Sequence, residues 1–138
     1  MELSIIIPAH NEEHLLPLTI TQLEREIRGI DYQIIVVNDH STDSTENKVK
    51  KLMNNFKNIK VVSNILPKGF ANALITGFSC SDSELVLPVM SDLCDDPNSI
   101  YKMYKKIKEG YDIVCGSRYI KGGKRIGGPF LRVCPKVS

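Results

Sequence analysis

The sequence predicts an α/β domain with a mainly parallel sheet flanked by helices. Short apolar runs rich in Ile and Val alternate with amphipathic segments along the chain, and this β-α-β-α order argues for helices on both faces of a parallel sheet. The runs are apolar at successive positions, as in strands that are buried on both faces. Polar and acidic residues follow the strand ends, where such sheets bind ligands.

The first two strand–helix units have the clearest periodicity. The run LSIIIP, which ends at Pro8, predicts a buried strand. The helix that follows has an apolar face formed by Leu16, Ile20, Leu23 and Ile27. Gly29 predicts the end of this helix. YQIIVVN predicts the second strand, and Asp43 and Glu46 have the spacing of a capping box at the start of the second helix.

The second half continues the alternation less regularly. IKVVSN predicts a third strand, and PKGFANALITGF predicts a short helix entered through Gly69. ELVLPVM predicts a fourth strand, in which Pro88 indicates an edge position or a bulge because proline has no N–H for the ladder. We expect a fourth helix from Pro97 to about Glu109 and a fifth strand at YDIVCGS.

Length and composition favour one ordinary globular domain. We divide it into a core at residues 1–117 and a basic, glycine-rich segment at residues 118–138 that we expect to be partly flexible. A formal net charge of +2 is too small to indicate nucleic-acid binding. The four cysteines form no C-x-x-C pair and fit reduced cytosolic thiols. We find no signal peptide and no apolar run of transmembrane length.

The loop after the first strand, PAHNEE, contains no glycine. A dinucleotide-binding turn would need G-x-G-x-x-G there, which argues against a dehydrogenase. Asn11, Glu12 and Glu13 are equally compatible with capping the next helix and with contacting a ligand. His10 and His14 are expected to be structural or solvated.

The loop after the second strand contains the acid that we assign to function. Asp39 stands at the strand end, where its carboxylate can accept hydrogen bonds from a nucleobase. The next residues, Ser41, Thr42 and Asp43, are typical of a turn.

The segment SDLCDDP after the fourth strand contains three aspartates. Mg²⁺ and Mn²⁺ prefer carboxylate oxygens, and Asp92 is the first acid beyond the strand. Asp96 precedes Pro97, so we favour a helix N-cap for it. Asp95 is left open between a metal ligand, a contact to metal-bound water and the helix dipole.

Positive charge follows the fifth strand. Arg118 is anchored at the strand end and can bind a phosphate in bidentate fashion. The bases from Lys121 to Lys136 fit a solvated basic C-terminus at least as well.

Five segments in order resemble the family 2 glycosyltransferases of the GT-A fold, and among them the dolichol-phosphate mannosyltransferase-like group that uses polyprenyl phosphates. They are SIIIPAHNEE, YQIIVVNDHSTDST, PKGFANALITGF, VMSDLCDDP and EGYDIVCGSRYIKGG. The resemblance implies a Rossmann-like nucleotide-binding domain whose C-terminal part is missing. It also implies an inverting enzyme of cell-envelope glycan synthesis at the cytoplasmic face of the membrane.

The resemblance also implies ligands and roles for single residues. The donor would be a nucleotide sugar of the GDP-mannose or UDP-glucose type, and the acceptor a polyprenyl or dolichyl phosphate. The residues implied to hold the nucleotide are Pro8, Ala9, Asn11, Glu12, Asp39, Lys68 and Gly69. Asp92, with Asp95, would bind Mg²⁺ or Mn²⁺, and Arg118 would contact the acceptor phosphate.

The chain departs from the family pattern at three points. Met90 occupies the first position of the usual D-x-D motif, and Asn38–Asp39 keeps only the second of two usual acids. Family members also continue beyond the position of Ser138. A catalytically impaired nucleotide-sugar-binding module is therefore the alternative. A nucleotidyltransferase is disfavoured because PAHNEE lacks a glycine-rich loop, and a phosphoryl receiver because Ser63–Asn64 ends the third strand.

Overall fold

The computed structural model describes residues 2–91, 102, 104, 105, 113, 114, 131 and 132. Its elements, in chain order, are β1 (Leu3–Ala9), α1 (Leu16–Glu26), β2 (Tyr32–Asn38), α2 (Thr45–Leu52), β3 (Ile59–Ser63), α3 (Phe70–Ser79), β4 (Leu85–Pro88), β5 (Ile113–Val114) and β6 (Leu131–Arg132). The predicted order of the first four strands and three helices is confirmed.

Four strands form a parallel sheet in the order β3-β2-β1-β4. Pro88 is the last residue of β4, an outer strand of this sheet, as its missing N–H predicts. The predicted fifth strand is β5, but it pairs antiparallel with β6. β6 lies in the C-terminal segment, which has no hydrophobic periodicity, so no pattern in the sequence predicts it.

Each face of the sheet packs against its own helices. Ile5, Ile7, Ile34 and Val36 lie in the cluster that contains Leu16, Ile20 and Leu23 of α1 and Val49 of α2. Ile6, Ile35 and Val37 point the other way and pack with Ala73 of α3. This alternation follows from the two-residue period of a strand. The core therefore has two layers, one on each side of the sheet.

Helix α3 approaches the sheet closely at Gly77. A Cβ atom at this position would overlap Ile6 Cγ2 and lie 3.1 Å from Val37 Cγ2. A residue without a side chain is needed at this contact, and it sets the distance between α3 and the sheet.

The capping box predicted for Asp43 and Glu46 is wrong. α2 begins at Thr45, whose N–H donates to Asp43 Oδ1 at 2.9 Å. Glu46 does not reach back to the Asp43 amide. It accepts a hydrogen bond from Asn38 Nδ2 at 3.2 Å and forms an ion pair with Lys50 at 3.1 Å. Lys50 lies one turn further along α2 and Asn38 ends β2, and these two partners fix the position of the Glu46 carboxylate.

The predicted fourth helix is only partly described. Lys102, Tyr104 and Lys105 are helical, and Tyr104 packs against the core on the α1 side and donates a hydrogen bond to Glu2. Its predicted ends at Pro97 and Glu109 lie outside the described residues. No helix among the described residues is long and apolar enough to cross a membrane.

Candidate nucleotide-sugar site

Asn11 joins the loops that follow β1 and β2. Its φ of 53° turns the chain away from β1. Its Oδ1 then accepts hydrogen bonds from the Thr42 amide at 2.8 Å and the Asp43 amide at 3.3 Å. Its own N–H donates to Ser41 Oγ at 3.0 Å. The two loops are therefore held together across about 30 residues of sequence.

Glu12 and Glu13 extend this connection toward α2. The Glu12 N–H donates to Thr45 Oγ1 at 2.9 Å, and Glu13 Oε2 accepts the Ser44 N–H at 3.2 Å. Within the described part of the chain no side chain caps α1, and the first turn of this helix contains no acid. Capping of α1, one alternative for Asn11, Glu12 and Glu13, is therefore wrong, because this loop pairs with the loop after β2.

His10 has a defined tautomer. Its Nδ1 lies 2.8 Å from the Asp39 carbonyl oxygen, which can only accept, so Nδ1 carries the hydrogen. Nε2 then accepts from Asn11 Nδ2 at 3.3 Å. The structural role predicted for His10 is confirmed, and the His14 side chain, 85% exposed, is solvated as expected.

Asp39 is the buried acid of this edge, with 6% of its surface exposed. Its N–H donates to the Ala9 carbonyl at 2.8 Å, continuing the β1–β2 ladder. Its Oδ1 accepts from Asn64 Nδ2 at 2.8 Å, and the Gly69 N–H lies 3.1 Å from Oδ2 and 3.3 Å from Oδ1. Asp39 thus faces the N-terminus of α3, where the helix dipole stabilises a negative charge.

The structure brings most of the predicted nucleotide residues to one edge. Pro8 and Ala9 end β1, pairing in register with Val37 and Asn38. Lys68 is exposed in the turn that leads to Gly69, and Gly69 has φ 158° and ψ 149°, a combination that glycine adopts more readily than other residues. Ala9 and Gly69 are hydrogen-bonded to Asp39, and Pro8 and Lys68 are their neighbours in the chain.

Sequence reasoning missed Asn64, which is 4% exposed. Its amide contacts Asp39, the turn that follows β3, and α3. In the sequence, Asn64 differs from other residues only in being an asparagine at the end of a strand, five residues before Gly69. A turn residue gives the same signal.

The acidic segment SDLCDDP begins at Ser91, which is the last residue of the continuous range 2–91. Ser91 is buried, and its carbonyl accepts Thr19 Oγ1 of α1 at 2.9 Å, so the exit of β4 is attached to the helix after the first loop. Residues 2–91 and the few described after them contain no group of three or more His, Cys, Asp or Glu that could hold a metal ion. Asp92, Asp95, Asp96 and Arg118 lie outside the described residues.

A parallel sheet with helices on both faces is an α/β architecture, and in such sheets ligands bind beyond the carboxyl ends of the strands, where Asp39 lies. The structural neighbours of this chain are glycosyltransferases of the GT-A fold. Residues 4–130 match the model of glycosyl transferase family 2, and the chain belongs to this family.

Two relatives illustrate the similarity in sequence. The chain is 36% identical over 132 residues to a dolichol-phosphate mannosyltransferase of Pyrococcus furiosus, covering 96% of this chain and 37% of the relative. It is 31% identical to an undecaprenyl-phosphate 4-deoxy-4-formamido-L-arabinose transferase of Proteus mirabilis, covering 82% of this chain and 36% of the relative. The chain thus spans little more than a third of these relatives.

Solved structures share the fold. TarS residues 1–349 of S. aureus superpose with a TM-score of 0.68 at 25% identity, covering 83% of this chain and 35% of that one. The mannosyltransferase PcManGT of Pyrobaculum calidifontis, solved with GDP-Man and Mn²⁺, has a TM-score of 0.68 at 22% identity, with coverage of 75% and 31%. The latter similarity bears on the fold alone.

Proposed function

We propose that this protein transfers a sugar from a nucleotide sugar to a polyprenyl phosphate. The observation that carries the proposal is the buried Asp39 carboxylate, held against the Gly69 amide where the loops after β1 and β2 meet. The similarity to a dolichol-phosphate mannosyltransferase supports the substrate class.

In this proposal Asp39 binds the base of the donor. An ionised carboxylate has about four lone-pair positions. Asn64 and Gly69 use Oδ1 and one position on Oδ2, which leaves Oδ2 able to accept one more N–H. Guanine and uracil both present such N–H groups, so GDP-mannose and UDP-glucose are both donors to test. TarS of S. aureus and the glucosyl-3-phosphoglycerate synthase of Mycobacterium tuberculosis, each 25% identical to this chain, were solved in complex with UDP.

The surrounding loop residues would enclose the rest of the nucleotide. Pro8, Ala9, Asn11 and Glu12 line the edge of β1 beside Asp39, and Lys68 offers an exposed ammonium near it. A cation at the N-terminal end of a helix is suited to a diphosphate, which is stabilised both by that charge and by the helix dipole.

A divalent ion, Mg²⁺ or Mn²⁺, is part of the proposal. Carboxylates are the donors these ions prefer, and Asp92, with Asp95, would hold the ion directly after the anchored Ser91. Bound there, the ion would neutralise charge on the departing diphosphate. A single acid in place of the D-x-D pair fits an ion that the donor diphosphate also coordinates.

The acceptor phosphate would act as its own nucleophile. Its second pKa is about 6, so it is largely dianionic near neutral pH. One of its oxygens would bond to the anomeric carbon as the bond from that carbon to the diphosphate breaks, which inverts the configuration. Arg118 would orient this phosphate. A lipid-linked acceptor would place the reaction at the membrane surface, and we propose its cytoplasmic face.

The test is transfer from GDP-mannose and from UDP-glucose to a short polyprenyl phosphate with Mn²⁺ or Mg²⁺. We expect product with one donor, loss of it with EDTA, and at least a hundredfold loss in Asp92→Ala. Asn55→Ala, an exposed change away from this edge, is the control. If the nucleotide affinity is the same with and without EDTA and no sugar is transferred, the catalytically impaired nucleotide-sugar-binding module is favoured instead.

A further inference from the structure

The Asn64 side chain has a partner within reach of each of its hydrogen-bonding positions. Its Nδ2 group donates to Asp39 Oδ1 at 2.8 Å and lies 3.4 Å from the Pro67 carbonyl oxygen. Its Oδ1 accepts from the Leu66 N–H at 3.0 Å and lies 2.9 Å from Thr76 Oγ1, whose single hydrogen is shared with the Asn72 carbonyl oxygen at 3.0 Å. Two donors and two lone pairs are the whole capacity of a primary amide.

These four partners belong to three separate parts of the fold. Asp39 follows β2, Leu66 and Pro67 form the turn after β3, and Thr76 lies in the middle of α3. The Asn64 N–H adds a fifth contact, donating to the Asn38 carbonyl at 3.0 Å. One buried side chain therefore fixes the Asp39 carboxylate relative to the turn that delivers the Gly69 amide.

We propose that Asn64 is a positioning residue of the nucleotide site. It would hold Asp39 Oδ2 and the Gly69 turn in the arrangement that a nucleotide meets, without touching the nucleotide. This inference rests on the proposed function, because it needs the nucleotide to bind at Asp39. It adds a residue that the motif resemblance did not include.

The amide is suited to this position because its two ends have opposite polarity. The end that faces Asp39 and Pro67 must donate, since both partners there are acceptors. The end that faces Leu66 and Thr76 must accept the Leu66 N–H. An ionised carboxylate can only accept, so Asn64→Asp keeps the shape of the side chain and removes the donor.

The main experiment measures the affinity of purified Asn64→Asp for GDP and for UDP, each with Mn²⁺, by calorimetry. Near neutral pH the new carboxylate would stand about 2.8 Å from that of Asp39. We expect the affinity to fall by tenfold or more, because like charges repel and a donor to Asp39 is lost. Asn55→Asp makes the same chemical change at an exposed position and should bind as the wild type does.

A pH series on the same variant separates positioning from general damage. Two carboxylates in contact share a proton with a raised apparent pKa, so acidification to about pH 5 returns a donor between them. The affinity of the variant relative to wild type should then recover severalfold. The other titratable groups nearby are His10, His40 and Lys68, and they are common to both proteins. Thermal unfolding at each pH verifies that the variant is folded.

A second pair of variants acts on the other end of the amide. Thr76→Val removes the hydroxyl that lies 2.9 Å from Asn64 Oδ1 and 3.0 Å from the Asn72 carbonyl oxygen, and it keeps the size of the side chain. We expect a two- to fivefold loss of nucleotide affinity. Thr76→Ser keeps the hydroxyl and should retain most of the wild-type affinity, which a role of the Thr76 methyl group in packing would not predict.

The outcomes separate this inference from the proposed function. If Asp39→Asn loses nucleotide binding while folded Asn64→Asp binds as the wild type does at every pH, the inference is overturned and the proposed function stands. If the wild-type protein binds neither GDP nor UDP, the proposed function itself fails. Loss of affinity in Asn64→Asp with recovery in acid supports both.

Discussion

Two carboxylates at opposite ends of β2 show how differently one fold can treat the same group. Asp39, just after β2, receives hydrogen bonds from Asn64 and the Gly69 amide and faces the N-terminus of α3. Glu24, on α1 beside Tyr32 at the start of β2, has a buried oxygen, Oε1, with no hydrogen-bond partner among the described residues. The donors at the carboxyl edge stabilise a charge there, whereas the part of the amino edge that the structure describes offers Glu24 Oε1 no donor.

The titration of Glu24 reflects this shortage. Burial raises its pKa, and hydrogen bonds from Asn58 and Tyr32 offset only part of that rise. Burial, and then the charge of Glu24, also raise the pKa of Tyr32 to about 12. A buried charge without sufficient donors costs stability. A buried carboxylate that accepts several hydrogen bonds, such as that of Asp39, can remain available to bind a ligand.

The largest effect is expected from Asp39→Asn. In either orientation of the new amide, its NH₂ group meets another donor, Asn64 Nδ2 or the Gly69 N–H. We expect the free energy of unfolding to fall by about 2–3 kcal/mol and nucleotide affinity to fall about a hundredfold. Urea unfolding and calorimetry with GDP and UDP measure the two effects. Unchanged stability would show that these hydrogen bonds do not matter to Asp39.

The next effect concerns the distance of α3 from the sheet, on which the position of the Gly69 amide depends. Gly77→Ala would force its methyl group against Ile6 and Val37. Overpacking of this kind costs about 1–3 kcal/mol, and we expect a weaker nucleotide site as α3 moves outward. Ser79→Ala, at an exposed position of α3, is the matched control for the unfolding measurement. Equal stabilities of the two variants would contradict this packing.

Features of the fold and of the site that depend on neighbouring residues could be predicted from the sequence, and contacts between residues far apart in the chain could not. The strands and helices up to β4 followed from local periodicity, and the position of Asp39 at a strand end is local information too. The pairing of Asn11 with Thr42 and the contacts of Asn64 join loops far apart in sequence. Such contacts depend on the register of β1 against β2, which periodicity does not give. The roles of Asp92, Asp95 and Arg118, like the nucleotide contacts assigned to Asp39 and its neighbours, stay predictions.

A smaller effect, of opposite sign, is expected at the amino edge. Glu24→Gln should stabilise the protein at neutral pH by up to about 1 kcal/mol, since it removes a charge that burial disfavours. Wild-type Glu24 loses stability as pH rises from its unfolded pKa, near 4.5, through its raised folded pKa. The gain in the variant should therefore be absent well below pH 4.5 and complete at neutral pH. A gain that does not vary with pH would contradict this assignment.

The smallest effect is expected at Glu46, a partly exposed carboxylate on α2. The hydrogen bond from Asn38 is the largest cause that lowers the pKa of Glu46, and Lys50 lowers this pKa further. Glu46→Gln should cost about 0.3–0.5 kcal/mol at neutral pH. Because the folded pKa is lowered, this contribution is present above the unfolded pKa and is lost as pH falls through the folded value. Unfolding in 1 M NaCl should reduce the difference further, as charge screening requires.

The hydrogen bonds of His10 make its ring a spectroscopic reporter of this edge. A ring protonated on Nδ1 and bare on Nε2 gives two well-separated ¹⁵N resonances, in the order opposite to that of the Nε2–H tautomer. The Nδ1 signal reports the contact to the Asp39 carbonyl, and the Nε2 signal reports the contact to Asn11. One labelled histidine spectrum can therefore follow both loops during a titration, without any substitution in the protein.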